Sequence, residues 1–178
     1  MKKLVYRLVT TLAVIGVLGP VLSATEALAQ QPNPLDAIPD QMPFNLPYGA
    51  PIPLDHAKAI IAAAAAEATK RHWNMNIAVV DSGGNLVAFE RMDGAQLASI
   101  TIAEHKARVA VMFRRESKAL ENGIQSGNNY LITLDGVIGS RGGIPLIENG
   151  KIIGAIGCSG GTGSQDEVVA KAGAETMK

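Results

Sequence analysis

Apolar and polar positions follow two rhythms along this chain, and the changes of rhythm mark its elements. Residues 54–71 repeat with a helical period and hold eight alanines between Ala57 and Ala68. Alanine is the strongest helix former, and Asp55 stands where an N-terminal cap or first-turn acid belongs. Small side chains let backbones approach closely, so this helix is expected to lie against a flat surface. Residues 76–81 read as a buried strand, Ser82-Gly83-Gly84-Asn85 as a turn, and residues 86–92 as the returning strand of a hairpin. From 98 to 113 the period turns helical again. Ile100, Ala103, Ala107, Ala110 and Val111 form one apolar stripe, with Arg114 closing the row. A short further helix is expected over 115–122, ended by Gly123, followed by an irregular stretch over 124–141 that contains Gly127, Gly136 and Gly139. Residues 143–148 and 151–159 are apolar runs joined by Asn149-Gly150, a strong hairpin signal. A last helix is expected to start near Ser164, because Ser164-x-x-Glu167 has capping-box spacing. Helix, hairpin, helix, loop, hairpin, helix predicts an α+β fold, an antiparallel sheet with flanking helices.

Ahead of residue 54 the pattern is different in kind. Residues 1–29 read as a secretory signal: Lys2, Lys3 and Arg7 precede an apolar run over 8–22, and Ala27-Leu28-Ala29 supplies a small-x-small cleavage pattern. The run is short for a membrane span, which needs about 20 residues. The expectation is therefore an exported protein, periplasmic or extracellular, without a stable membrane anchor after cleavage. Residues 30–53 hold seven of the nine prolines. Such a segment cannot continue a helix or a central strand and reads as an extended arm. Leu35, Ile38, Met42, Phe44, Leu46, Tyr48 and Ile52 make it too apolar for a purely solvated tether, so it is expected to pack on its own domain or on a neighbouring subunit. Residues 54–178 form the domain proper.

Charge and composition exclude more than they assign. Sixteen basic residues match sixteen acidic ones, and loss of the signal leaves 13 against 15, a net charge of −2. That gives no electrostatic reason to expect a nucleic-acid partner. The single cysteine, Cys158, excludes an internal disulfide framework. It lies inside an apolar, glycine-spaced strand pattern, so burial is expected. His56, His72 and His105 share no metal-ligand spacing, and neither a zinc motif nor a nucleophile elbow is present. His56 and His72 bracket the first helix and read as solvated. His105 is set apart because it sits in mid-helix, off the apolar stripe.

Ten of the 19 glycines fall between Gly136 and Gly163. In Cys158-Ser159-Gly160-Gly161-Thr162-Gly163-Ser164-Gln165-Asp166, successive glycines free backbone N–H groups to point at one place beside a helix start. That loop is built either to cradle a carboxylate or phosphate, or to pack strand against helix tightly. Arg91-Met92-Asp93-Gly94 and Ser140-Arg141-Gly142-Gly143 bring guanidinium groups beside glycines, and both would line one pocket with the loop if the strand ends converge.

The runs Ala78-Val79-Val80-Asp81-Ser82-Gly83-Gly84-Asn85-Leu86, Arg91-Met92-Asp93-Gly94-Ala95 and Lys106-Ala107 resemble the haem-degrading domain family of GlcG/HbpS-like proteins. So do Gly142-Gly143-Ile144-Pro145, Gly154-Ala155-Ile156-Gly157-Cys158-Ser159-Gly160 and Gln165-Asp166-Glu167. The family also takes in the C-terminal domain of PduO-type proteins. The resemblance implies a profilin-like α/β/α sandwich with a five-stranded antiparallel sheet, assembled into homo-oligomers. The periodicity supplies four strands, so a fifth is expected within 124–141. The resemblance further implies haem as cofactor. His105 is then the first candidate iron ligand, with His56 second, and Arg91, Lys106 and Arg141 are the cations for the propionates. Asp93, Gly142, Gly143, Ser159, Gly160 and Gly161 are the expected ligand-binding positions. Three functional classes are open: an exported haem- or small-ligand-binding protein that scavenges, stores or senses; an enzyme acting on haem or a small carboxylate through Arg91, Asp93 or His105; or a structural oligomer. Binding is favoured, because no nucleophile–base pair or metal set is identifiable.

Overall fold

The structure, a computed structural model, describes residues 36–177; the signal segment and arm residues 30–35 lie outside the described residues. Residues 36–40 belong to a unit separate from the one that begins at Gln41, and they are exposed. The sheet and the helices packed on it all belong to the second unit.

Pro53, in extended backbone, sets the start of α1 (Leu54–Lys70), which carries Asp55 in its first turn and Lys70 in its last, as the helix dipole favours. Its buried positions, Ala57, Ile60, Ile61, Ala64 and Ala68, trace one helical stripe. The hairpin of β1 (Asn76–Asp81) and β2 (Leu86–Arg91) turns on Asp81, whose Oδ1 accepts from the backbone N–H of Gly83 at 2.8 Å and of Asn85 at 2.9 Å. Then come α2 (Ser99–Met112) and α3 (Ser117–Gln125). β3 (Gly143–Glu148) and β4 (Lys151–Ser159) meet at Asn149 and Gly150, whose φ values of 50° and 74° suit the primed turn expected of an Asn-Gly pair. The chain closes with α4 (Gly163–Ala174).

The strands form one antiparallel sheet in the order β2-β1-β4-β3. Pro145, which has no N–H to give a ladder, sits on edge strand β3. Alternation sends Ile77, Val79, Ile156 and Cys158 into a core with α1 and α4 and Val80 and Ala155 to the opposite face, where they pack with Ala107, Ala110 and Val111 of α2; Ile152 joins them there past a register shift in the β3–β4 pairing. The α2 face is held unusually close. A Cβ at Gly157 would lie 2.1 Å from the Ala103 carbonyl oxygen, and one at Gly143 equally close to that of Lys106. Only glycine admits this backbone-on-backbone contact.

The arm packs on its own domain from about Phe44 onward. Tyr48 bridges Ile152 in parallel, Gly49 N–H donates to the Ile152 carbonyl at 2.8 Å, and the Tyr48 hydroxyl donates to the Val111 carbonyl at 3.1 Å. The arm thus continues the sheet beside β4 just beyond the end of β1.

Three expectations are corrected. Among the described residues the sheet has four strands, and the stretch 124–141 carries a 3₁₀ turn at Asn129–Thr133 instead of a fifth. α3 runs through Gly123, because a Cβ there would lie 2.6 Å from Leu131 Cδ1; this glycine makes room for the 3₁₀ turn and does not end the helix. α4 is capped by Thr162 with Gln165, two positions before the expected start. Both boxes fit the spacing rule, and Glu167 is drawn away to Lys118 and Lys171.

Candidate functional site

The glycine-rich loop does cradle a carboxylate, and it is the chain's own. Asp166 Oδ1 accepts from the backbone N–H of Gly160 at 3.1 Å and of Gly161 at 3.0 Å, and its Oδ2 accepts from Lys106 Nζ at 2.6 Å. Lys106 donates also to the Cys158 carbonyl at 3.3 Å. The two side chains are only 1% and 3% exposed. Burial pushes the Asp166 carboxyl up, more than Lys106 and the two amides pull it down. Burial, reinforced by Asp166, holds the Cys158 thiol protonated and unreactive. Lys106 was expected to meet a propionate. It faces the interior instead, because its place on α2 beside Ala103 and Ala107 points at the sheet and at α4.

Arg141 is likewise committed. Its Nη2 lies 2.8 Å from Glu121, its own backbone N–H donates to the same carboxylate at 2.6 Å, and its Nη1 reaches Glu167 at 3.5 Å. Glu167 also accepts from Lys118 at 3.0 Å and Lys171 at 2.5 Å. Burial raises Glu121 and Glu167, yet their basic partners outweigh it and leave both below the ordinary carboxylate range. Gly142, at φ 115°, and Gly143 are buried, and Gly143 N–H donates to Ser117 Oγ at 2.9 Å. Ser159 is buried on Ser99 at 3.0 Å. These three positions, expected at a ligand, are interior packing.

The lowered carboxyls set a pH dependence. A folded-state value below the unfolded one means that the ionised form stabilises the fold above the unfolded value of about 4.3 and that this is lost as pH falls through the folded value. The contribution of Glu121 and Glu167 should therefore decline as pH drops below about 4.3, and Glu121→Gln should be less stable at neutral pH with a shallower acid slope. Chemical denaturation at pH 7, 5 and 3.5 measures both; parallel curves for wild type and variant would count against the assignment.

The strand ends do converge on one end of the sheet, where Asn76 lies opposite both Arg91 and Ser159. Yet β2 and β3 are opposite edges, three strand spacings or about 14 Å apart, so Arg91 and Arg141 line no common pocket. Arg91 and Asp93 are exposed. Gly160 and Gly161 border a shallow depression of about 310 Å³ with His72, Asn74, Gln96 and Gln165, and neither arginine reaches it. His56 is exposed, as expected, beside Ala59 in another depression.

His105 lies elsewhere, in a groove of about 620 Å³ along the outer face of α2. Thr101, Glu104, His105, Arg108 and Met112 recur at helical spacing along its floor, and Phe113, Asp135 and Gly136 complete it. The half-buried imidazole bonds the Gly136 carbonyl through Nε2 at 3.0 Å. A carbonyl can only accept, so Nε2 is the donor in this contact. Arg108 Nε donates to the Gly84 carbonyl at 3.0 Å, which fixes its guanidinium at the groove margin. The helical partners of His105 were readable from positions i−4, i−1, i+3 and i+7; no local signal points to Asp135 and Gly136. Among the described residues no three His, Cys, Asp or Glu side chains group as metal ligands. The groove thus presents one imidazole and one guanidinium, with the Glu104 and Asp135 carboxylates and an apolar side made by Met112 and Phe113. That donor set suits a metal that brings its other ligands with it better than a bare ion.

Residues 52–175 match the family described as Haem degrading protein HbpS-like. GlcG of Escherichia coli K12 is 44% identical over 103 residues, covering 58% of this chain and 77% of GlcG. The crystal structure of a double mutant of Streptomyces reticuli HbpS superposes with a TM-score of 0.68 at 29% identity, covering 80% of this chain and 97% of that one. A PduOC:heme complex superposes with a TM-score of 0.65 at 25% identity, covering 71% of this chain and 94% of that one.

Proposed function

This chain belongs to the HbpS-like family of haem degrading proteins, and from that premise we propose that it binds haem in the groove on the outer face of α2. The observation that carries the reading is His105, a single imidazole held by Gly136 in a cavity of about 620 Å³, within the size range of cofactor sites. Met112 and Phe113 supply the apolar wall, and Arg108 is the cation placed for a propionate. Lys106 and Arg141 are spent on internal carboxylates, so the assignment of propionate cations moves from them to Arg108. If bound, haem would supply the iron, and this chain would offer the His105 imidazole, the Arg108 guanidinium and the apolar side chains of Met112 and Phe113. Nε2 is held by the Gly136 carbonyl, so that nitrogen would meet iron only if this hydrogen bond were given up.

The protein acts in this reading as an exported binder that scavenges, stores or senses. The signal pattern over 1–29 supports export, and the exposed Tyr130, Ile132 and Leu134 support self-association. Helices on both faces of the sheet support the profilin-like description.

Haemin titrated into the purified protein should give a saturable Soret shift. His105→Ala should weaken binding at least tenfold and alter the Soret position, whereas His56→Ala should not. A His105→Ala protein indistinguishable from wild type would remove the reading. Loss of the Soret band on adding a reductant, with a bilin-like product, would move the function from binding to turnover.

A further inference from the structure

A second cavity, of about 420 Å³, lies away from His105, between the arm, edge strand β3 and the end of α4. Its apolar lining is Leu46, Ile144, Pro145, Ile147 and Met177. Arg114, Arg115 and Lys171 stand at its rim. From this amphipathic construction we infer that the cavity is a binding site for a small amphipathic monocarboxylate, an alkyl chain on the apolar lining and the anionic head at the arginines.

The two arginines are set in place before any ligand arrives. Arg114 adopts φ 52°, a costly backbone for a non-glycine residue, and its guanidinium stacks over Tyr48 at 5.1 Å while Nη1 donates to the Leu46 carbonyl at 3.4 Å. Arg115 lies 3.5 Å over the ring of Phe44, and its Nε donates to the Phe113 carbonyl at 3.1 Å. Ring stacking fixes the guanidinium planes without consuming their charge, and a fixed fork recognises a carboxylate with little further ordering. The stacking and bonding partners Phe44, Leu46 and Tyr48 all come from the Pro-rich arm.

Charge selects the ligand class. Glu116 and Glu175 share the rim with the three cations, which leaves an excess of one positive charge. Glu167 behind Lys171 is shared with Lys118 and Arg141 and does not cancel that excess. One net charge over an apolar slot suits a monoanion with a hydrocarbon body and disfavours a phosphate dianion. The inference does not depend on the haem reading, since it uses none of the groove's residues.

Isothermal titration of decanoate into the purified protein tests it. We expect saturable one-to-one binding, at least tenfold weaker for decanol, which keeps the chain and lacks the charge. Ile147 is 41% exposed, so Ile147→Glu should fold and should weaken decanoate at least tenfold by placing a like charge in the apolar lining. Protein saturated with haemin should bind decanoate unchanged. Absence of saturable binding, equal affinity for decanol, full affinity in a folded Ile147→Glu, or displacement of decanoate by haemin would each overturn the proposal. If decanoate binds while haemin does not, the haem reading fails and this one stands.

Discussion

Asp166→Asn is expected to lower the stability of the domain by about 3–5 kcal/mol, the cost of leaving one member of a buried ion pair without its partner. Asparagine keeps the shape and can still accept from Gly160 and Gly161, so the loss isolates the charge on Lys106, whose side chain is only 1% exposed. For a domain of this size the midpoint should fall by about 10 °C or more. Lys106→Met should cost less. It leaves a carboxyl that burial already holds toward its neutral form and that keeps its two backbone donors. The double variant Lys106→Met, Asp166→Asn should recover part of the loss, because neither charge is then stranded. Thermal unfolding of the four proteins gives the coupling. A midpoint for Asp166→Asn within about 2 °C of wild type, well inside the shift a stranded charge should cause, would show that the pair is not what ties α4 and the glycine loop to α2.

Gly157→Ala should be almost as damaging for a steric reason. The new methyl would lie 2.1 Å from the Ala103 carbonyl oxygen and 2.5 Å from the Ala107 nitrogen, and both are helix backbone atoms that cannot rotate away. Either β4 or α2 must shift. Overpacking of this kind costs about 1–3 kcal/mol, and with backbone on both sides the upper end is expected. Because α2 also carries Thr101, His105 and Arg108, haemin affinity should fall together with stability. Gly150→Ala is the control: at φ 74° with nothing within 4 Å, it should cost about 1 kcal/mol through backbone conformation alone and leave haemin binding intact. Equal midpoints for the two alanine variants would refute the close approach of β4 and α2 as the cause.

Residues with strong local signals were legible before any tertiary information. The alanine-rich repeat of α1, the apolar runs of the two hairpins and the Asn149-Gly150 turn lie where the pattern predicts them, since each signal and its structural consequence lie within a few residues. Burial of Cys158 followed from its strand pattern in the same way. Local pattern and structure part where two local rules compete. Thr162-x-x-Gln165 and Ser164-x-x-Glu167 satisfy one spacing rule, and distant lysines decided between them by engaging Glu167. Gly123 satisfied a helix-stop rule but serves the packing of Leu131.

At the candidate site, His105 stood out because it falls off the apolar stripe, and one helix face carries most of its groove. Its other wall, Asp135 and Gly136, is about thirty residues away in sequence and joins only on folding.

The sequence by itself therefore determined the elements, their order, the α+β class, and the presence of a glycine cradle suited to an anion. Tertiary structure decided which anion fills it, which cations remain for a ligand, and where the arm lies. Secondary structure is set by interactions between near neighbours, whereas a buried charge finds its partner by proximity in space. Lys106 and Asp166 are sixty residues apart, and no local pattern of apolar and polar positions encodes that meeting.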